Sequence, residues 1–161
     1  MDLQLPKRKC IRGIWFVLDA FGTYIPELRE NRPIKIRVRG PADCLPLLLP
    51  IRGDTQESFM VVTLDGVHQV IKAHGVTRGL ANQCQIHPRE TFACALEDRA
   101  VAIMIAHNHP SGSLDPSTDD LLTTRRLADA GRLLGIPLLD HLIVGETGFL
   151  SLRERYPDYF T

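Results

Sequence analysis

The chain has no surplus of either charge. Nineteen Lys plus Arg stand against nineteen Asp plus Glu. No global field therefore pulls it toward nucleic acid or an anionic membrane, and only a local basic patch could do so. Its four cysteines, Cys10, Cys44, Cys84 and Cys94, are scattered, with no Cys-x-x-Cys pair. That spacing argues against a thiolate metal cluster or a disulfide framework and for buried thiols. No apolar run nears the roughly 18 residues that cross a bilayer. Lys7-Arg8-Lys9 precedes the apolar Ile14-Trp15-Phe16-Val17-Leu18, but Asp19 cuts that run short and no convincing cleavage site follows. The expectation is a cytoplasmic protein without a signal peptide. Internal repeats and low-complexity segments are absent. What remains, 161 residues of which 44% are hydrophobic, suits one globular domain with a sizeable core.

Residues 1–39 carry the weakest signals and are expected to form an N-terminal extension packed on a main domain at 40–161. Within it Ile34, Ile36 and Val38 alternate with Lys35, Arg37 and Arg39. This reads as a strand with one wet, basic face, more simply solvated than built for nucleic acid. Gly40-Pro41 marks a break, and 42–49 suggests a short helix ended by Pro50. Phe59-Met60-Val61-Val62-Thr63-Leu64 is a strand, Asp65-Gly66 a hairpin turn, and 67–73 the returning strand. His68 and His74 alternate along it and are expected to face solvent. Pro88 suits a first helical position, and the helix at 89–96 carries Phe92, Ala93 and Leu96 at helical spacing. His87 is a candidate cap. A second helix at 119–134 is expected to turn Leu121, Leu122, Leu127, Ala130, Leu133 and Leu134 inward and to stop at Gly135. Strands at Leu138–Val144 and 148–152 complete the pattern. The order implies an α/β domain, a mixed β-sheet flanked by helices in two or three layers.

Val101-Ala102-Ile103-Met104-Ile105-Ala106 reads as a buried strand leading into His107-Asn108-His109-Pro110. Side chains at i and i+2 share a strand face, so His107 and His109 project together and Asn108 points the other way, a structural residue. A carboxylate follows in Ser117-Thr118-Asp119-Asp120. Two imidazoles and a carboxylate make the N/N/O set of a catalytic zinc site with an open position for water. Each half has a plainer explanation. Two histidines at a strand end can simply flank a turn, and Ser117-x-x-Asp120 is a helix capping box that needs no metal. Their coincidence, joined by Pro110-Ser111-Gly112, favours the metal.

A zinc hydrolase also needs a carboxylate to take a proton from water and pass it to the leaving amine. Glu57, just before the strand at 58–64, lies beside the histidines if that strand runs antiparallel to 101–106. Glu90 lies in the first turn of the helix preceding the His strand, where an acid also suits the helix dipole. Residue spacing alone leaves both open.

His-x-His-Pro, six residues and then Ser-x-x-Asp resembles the signature of the JAMM (MPN+) metalloprotease domain. His87-Pro88-Arg89-Glu90, His107-Asn108-His109-Pro110-Ser111-Gly112, Gly135-Ile136-Pro137-Leu138-Leu139-Asp140-His141 and Ser151-Leu152-Arg153-Glu154-Arg155 resemble the RadC branch, from about residue 40 onward. The resemblance implies a cytidine-deaminase-like α/β fold and one Zn2+ per chain held by His107, His109 and Asp120. It implies Glu57 as the catalytic glutamate and Ser117 as the residue steadying an oxyanion. The N-cap role of Ser117 is compatible, since a hydroxyl accepts and donates, leaving its proton free for that task. Asp119 is expected to be exposed. Asp140-His141 could supply a hydrogen bond behind a ligand, although a structural histidine is the simpler reading.

The function so implied is hydrolysis of a peptide or isopeptide bond in a protein or peptide substrate. Eukaryotic members cut ubiquitin linkages, but a fold sets chemistry rather than substrate. A deaminase of the same fold would carry His-x-Glu and Pro-Cys-x-x-Cys, and neither is present. The alternative is a DNA-repair or DNA-processing accessory role without peptidase activity. The first 40 residues are too few and wrongly patterned for the helix-hairpin-helix module usual in longer RadC forms, which weakens direct DNA binding. The sequence leaves room for a homodimer.

Overall fold

The computed structural model describes residues 36–79 and 86–161, together with three short strands near the N-terminus. Those strands, β1 (Arg8–Ile11), β2 (Ile14–Leu18) and β3 (Tyr24–Pro26), form an antiparallel sheet of their own. Ile34, Lys35 and Cys84 lie outside the described residues, as does most of the expected extension.

The main sheet has five strands. β4 (Glu57–Leu64) pairs antiparallel with β5 (Val70–Gly79) on one side and with β6 (Ala102–Asn108) on the other. β6 pairs parallel with β7 (Leu138–Val144), and β7 antiparallel with β8 (Phe149–Ser151). The order is β5-β4-β6-β7-β8, the mixed α/β sheet expected. β6 is buried along its whole length, and β4 from Ser58 onward. A strand covered on both faces reads as a continuous apolar run, which is why neither alternates.

Two cores follow from the two faces. Met60, Val62, Met104 and Leu142 pack under Leu47, Leu48 and Ile51, which belong to α1 (Leu45–Leu48) and the turn after it. On the opposite face Phe59, Val61, Ile103 and Ile105 pack under α2 (Pro88–Glu97) and α3 (Thr118–Leu134). Because β6 and β7 are parallel, the chain must cross back between them, and α3 is that crossover. Its N-terminus therefore starts beside the C-terminal end of β6.

Several local expectations are corrected. The buried stripe of α3 is Thr124, Leu127, Ala128 and Gly131, while Leu122 and Leu133 are 55% and 90% exposed and Leu134 is also outside. The i, i+3, i+4, i+7 stripe sets the helix phase; Leu127 lies on it as expected, while Leu122, Leu133 and Leu134 follow a different one. Gly131 lies on that stripe because a Cβ there would sit 2.5 Å from the Ile136 carbonyl and 3.2 Å from the Phe92 ring. Gly135 closes α3 in the left-handed conformation (φ 70°), as a C-cap glycine does. In α2 the inward residues are Thr91, Phe92 and Ala95, with Ala93 and Leu96 exposed. The β4–β5 connection spans 65–69 rather than two residues. Asp65 Oδ1 accepts the backbone N–H groups of Val67 and Gln69, which builds a wider loop.

His68 is exposed in that loop, as expected, but His74 is not solvent-facing. Its Nε2 lies 2.6 Å from Asp98 Oδ2, the same oxygen to which Thr63 Oγ1 donates at 2.7 Å. Asp98 follows the last turn of α2 and reaches onto β4 and β5, so it withdraws His74 from water. His87 occupies the N-cap position of α2, yet its side chain makes no capping bond; its backbone carbonyl accepts from Glu90 and Thr91 instead. Ile36 and Val38 do turn inward while Arg37 and Arg39 stay exposed, although among the described residues this stretch pairs through a single bridge, Arg37 to Gln69. After β8, Ser151 caps α4 (Leu152–Arg155) by accepting from the Glu154 N–H, a helix absent from the sequence reading.

Candidate metal centre

Phe59 of β4 faces His107 of β6 across the antiparallel ladder. Phe59, Val61, Ile103 and Ile105 all turn to the α2–α3 face, and the period of two carries Glu57, His107 and His109 to that face as well. The N-terminus of α3 brings Asp120 to the same place. His107 Nε2 lies 3.2 Å from Asp120 Oδ1, His109 Nε2 lies 3.3 Å from Asp120 Oδ2, and the two Nε2 atoms are 3.0 Å apart. Every donor atom of the set lies within 4.8 Å of the others. Tetrahedral zinc with bonds near 2.0–2.1 Å separates its ligand atoms by about 3.3 Å, and the closest approaches within this donor set are near that spacing.

The histidine tautomers agree with that fit. His109 Nδ1 lies 2.9 Å from the Ser113 carbonyl, which can only accept, so Nδ1 carries the proton and Nε2 turns to the cluster. His107 is 1% exposed and its Nδ1 lies 2.8 Å from His141 Nε2. Burial penalises the Asp120 carboxylate, but the imidazoles of His107 and His109 beside it outweigh that and hold the group well below the ordinary carboxylate range. The Asp120 bond raises the His109 pKa against the opposing effect of burial, with smaller contributions from Ser113 and the Glu57 charge. Burial above all pushes His141 well below the ordinary imidazole value, so it is neutral.

Ser117 and Asp120 form the capping box in full. Asp120 N–H donates to Ser117 Oγ at 3.1 Å, and Ser117 N–H donates to Asp120 Oδ2 at 2.7 Å. The hydroxyl proton is not free: Ser117 Oγ donates to Asp120 Oδ2 at 2.6 Å. One carboxylate thus caps the helix and faces both histidines, and the two plain readings of the motif coexist with the metal reading. Asp119 is exposed, as expected.

Geometry separates the two glutamates. Glu57 heads β4, half-buried, and its charge is felt by His109. Glu90 is exposed and paired with Arg89 at 2.9 Å. Asn108 points to the opposite face, as expected. Its Oδ1 accepts the Ser58 N–H at 2.9 Å, while Nδ2 donates to the carbonyls of Asp54 (3.1 Å) and Gln56 (3.0 Å). The loop that delivers Glu57 is therefore pinned from the His strand itself.

His141 is no bystander, since it stands directly behind His107. Asp140 holds its neighbourhood in place by accepting from the His141 N–H, Ser151 Oγ and the Arg153 N–H. Sequence reasoning missed Thr124, whose Oγ1 lies 2.7 Å from His141 Nδ1. The available signal was a polar residue on the buried stripe, one turn after Asp120. A depression of about 200 Å3, lined by Gly53, Asp54, Thr55, His109, Pro110 and Gly145 among others, opens beside the cluster.

The fold and the donor set define an α/β domain carrying a candidate His/His/Asp metal centre at the meeting of strand and helix. Residues 38–156 match the RadC-like JAB domain family. The chain belongs to that family. It is 46% identical over 122 residues to a "UPF0758 protein" of Methanospirillum hungatei JF-1, covering 74% of this chain and 54% of that one. A "UPF0758 protein" of Staphylococcus aureus (strain bovine RF122 / ET3-1) is 44% identical over 126 residues, covering 78% and 54%. The chain thus spans about half the length of these relatives. Among the described residues no helix is long and apolar enough to cross a membrane.

Proposed function

We propose that this chain is a zinc-dependent hydrolase of amide bonds, peptide or isopeptide, in a polypeptide substrate. The observation that carries the reading is the convergence of His107 Nε2, His109 Nε2 and the Asp120 carboxylate at 3.0–3.3 Å at the C-terminal end of the central strand β6. A structural zinc site is closed by four protein ligands, whereas three leave a position for chemistry. The ion would supply Lewis acidity toward water and the scissile carbonyl.

The remaining work falls to the chain's own residues. Glu57, on the face of the two histidines, takes the proton of the attacking water and returns it to the departing amine. Ser117 turns its hydroxyl from Asp120 Oδ2 to the oxyanion as charge develops there; such a donor is worth about 2.7–4 kcal/mol. The depression beside His109 is where a substrate segment would lie.

Elemental analysis of the purified protein beside His109→Ala tests the reading. One zinc per chain, lost in the variant, supports it and leads to a peptide-library cleavage screen with Glu57→Gln as the inactive control. A wild-type protein that retains no metal after zinc is offered and the excess removed would sink it.

A further inference from the structure

Metal-binding histidines usually donate their second ring N–H to a carboxylate, a carbonyl or water. His107 meets another imidazole instead. His107 Nδ1 lies 2.8 Å from His141 Nε2, His141 Nδ1 lies 2.7 Å from Thr124 Oγ1, and Thr124 Oγ1 donates to the Asp120 carbonyl at 2.6 Å. His107, His141 and Thr124 are all buried, each 1% exposed or less. The Phe59 ring meets His141 edge-on, with centroids 6.1 Å apart.

The direction of this chain follows from counting protons. A threonine hydroxyl has one proton, and here the Asp120 carbonyl takes it. Thr124 Oγ1 can then only accept from His141, which places a His141 ring proton on Nδ1; a second on Nε2 would collide with the Nδ1 proton that His107 carries when it ligates through Nε2. His141 Nε2 is left as an acceptor and takes the Nδ1–H of His107. The lone pair of His107 is thereby confined to Nε2, the atom that faces Asp120 and His109.

The path begins and ends on the candidate ligands. It leaves His107, passes through β7 and α3, and returns to the backbone of Asp120, whose carboxylate stands 3.2 Å from His107. Ring orientation on β6 and the seating of the first turn of α3 are therefore fixed by the same three hydrogen bonds.

We infer that His141 and Thr124 are positioning residues of the metal centre: their hydrogen-bond chain holds His107 in the tautomer and orientation that present Nε2 to a metal ion, and joins that ligand to Asp120. This inference rests on the zinc reading above. Because the chain contains no carboxylate, it orients His107 without adding negative charge behind it.

The test compares wild type, Thr124→Val and Thr124→Ser, each checked for a native amide spectrum. Zinc affinity is measured by competition with a chromophoric chelator. Ring-nitrogen states are read from long-range proton–nitrogen correlation spectra of the zinc-loaded wild type. Thr124→Val is expected to weaken zinc binding about 10–100-fold, and Thr124→Ser, which keeps the hydroxyl, to restore it. In the spectra His141 is expected to be neutral and protonated on Nδ1 alone. Wild-type affinity in Thr124→Val, or a His141 proton on Nε2, overturns the inference while leaving the zinc reading intact. Failure of wild type to bind zinc overturns both. The spectra need no variant, so the inference stays testable even if Thr124→Val does not fold.

Discussion

Asn108 Oδ1 accepts the backbone N–H of Ser58 at 2.9 Å, and so ties the tip of the His strand to the residue after Glu57. The two carbonyls that Asn108 also satisfies, Asp54 and Gln56, belong to the same incoming loop. Asn108→Ala strands a buried N–H and two carbonyls, at a cost of about 1–3 kcal/mol in stability. It leaves His107, His109 and Asp120 in place, because its side chain occupies the other face. The expected result is a lower urea midpoint, nearly unchanged zinc affinity and a loss of turnover from a displaced Glu57. Loss of zinc affinity comparable to that of His109→Ala would refute this division of labour.

Ser117 has two assignable jobs, and one substitution separates them. Glycine is a tolerable N-cap, costing only a few tenths of a kcal/mol relative to serine, whereas alanine costs about 0.5–2 kcal/mol. Neither keeps the hydroxyl. If the hydroxyl steadies an oxyanion, Ser117→Gly lowers kcat about 100- to 1,000-fold at nearly wild-type stability. Thermal melts and turnover of one cleaved peptide decide the matter. Full turnover in Ser117→Gly would reduce the serine to a cap.

Much of the centre was legible because it is written in local rules. The period of two along β6 put His107 and His109 together, and the helix start at Ser117 put Asp120 in the first turn. Which glutamate lies beside the histidines was not legible from spacing, because it depends on β4 lying antiparallel beside β6, a long-range pairing. His141 and Thr124 were illegible as partners for the same reason. They come from β7 and from the second turn of α3, and only the parallel crossover stacks them behind His107. Leu122, Leu133 and Leu134 of α3 misled because the stripe that packs contains, beside Leu127, Thr124 and Gly131, residues suited to a hydrogen bond and to closeness rather than to hydrophobicity.

Gly131 shows that closeness directly. An added Cβ would lie 2.5 Å from the Ile136 carbonyl, a backbone atom that cannot swing away. Helix propensity alone would favour alanine by about 1 kcal/mol. Overpacking a tight contact costs about 1–3 kcal/mol, and here it should prevail. Gly131→Ala is expected to lower the melting temperature, with the α3–β7 turn shifting most in amide spectra. A stabilised variant would mean that α3 can move away from β7 at little cost, and the rigid seating of Asp120 would then need another source.

Metal binding should release a proton at pH values below the raised folded pKa of His109, which is its source. The Asp120 hydrogen bond raises the His109 pKa above its ordinary 6.5, burial opposing and Ser113 assisting. A raised folded value means that protonated His109 stabilises the metal-free fold. That contribution is complete below about 6.5, the unfolded value, and is lost as pH rises through the folded one. Zinc needs the Nε2 lone pair, so below the folded value the proton must leave before the ligand can bind. Zinc affinity is therefore expected to climb with pH across this window while the stability of metal-free protein declines. Calorimetric zinc titrations in two buffers of different ionisation enthalpy measure the proton released, and urea midpoints of metal-free wild type against His109→Gln measure the stability term. A binding enthalpy independent of buffer, or a pH profile unchanged in His109→Gln, would remove His109 as the group that exchanges a proton for the metal.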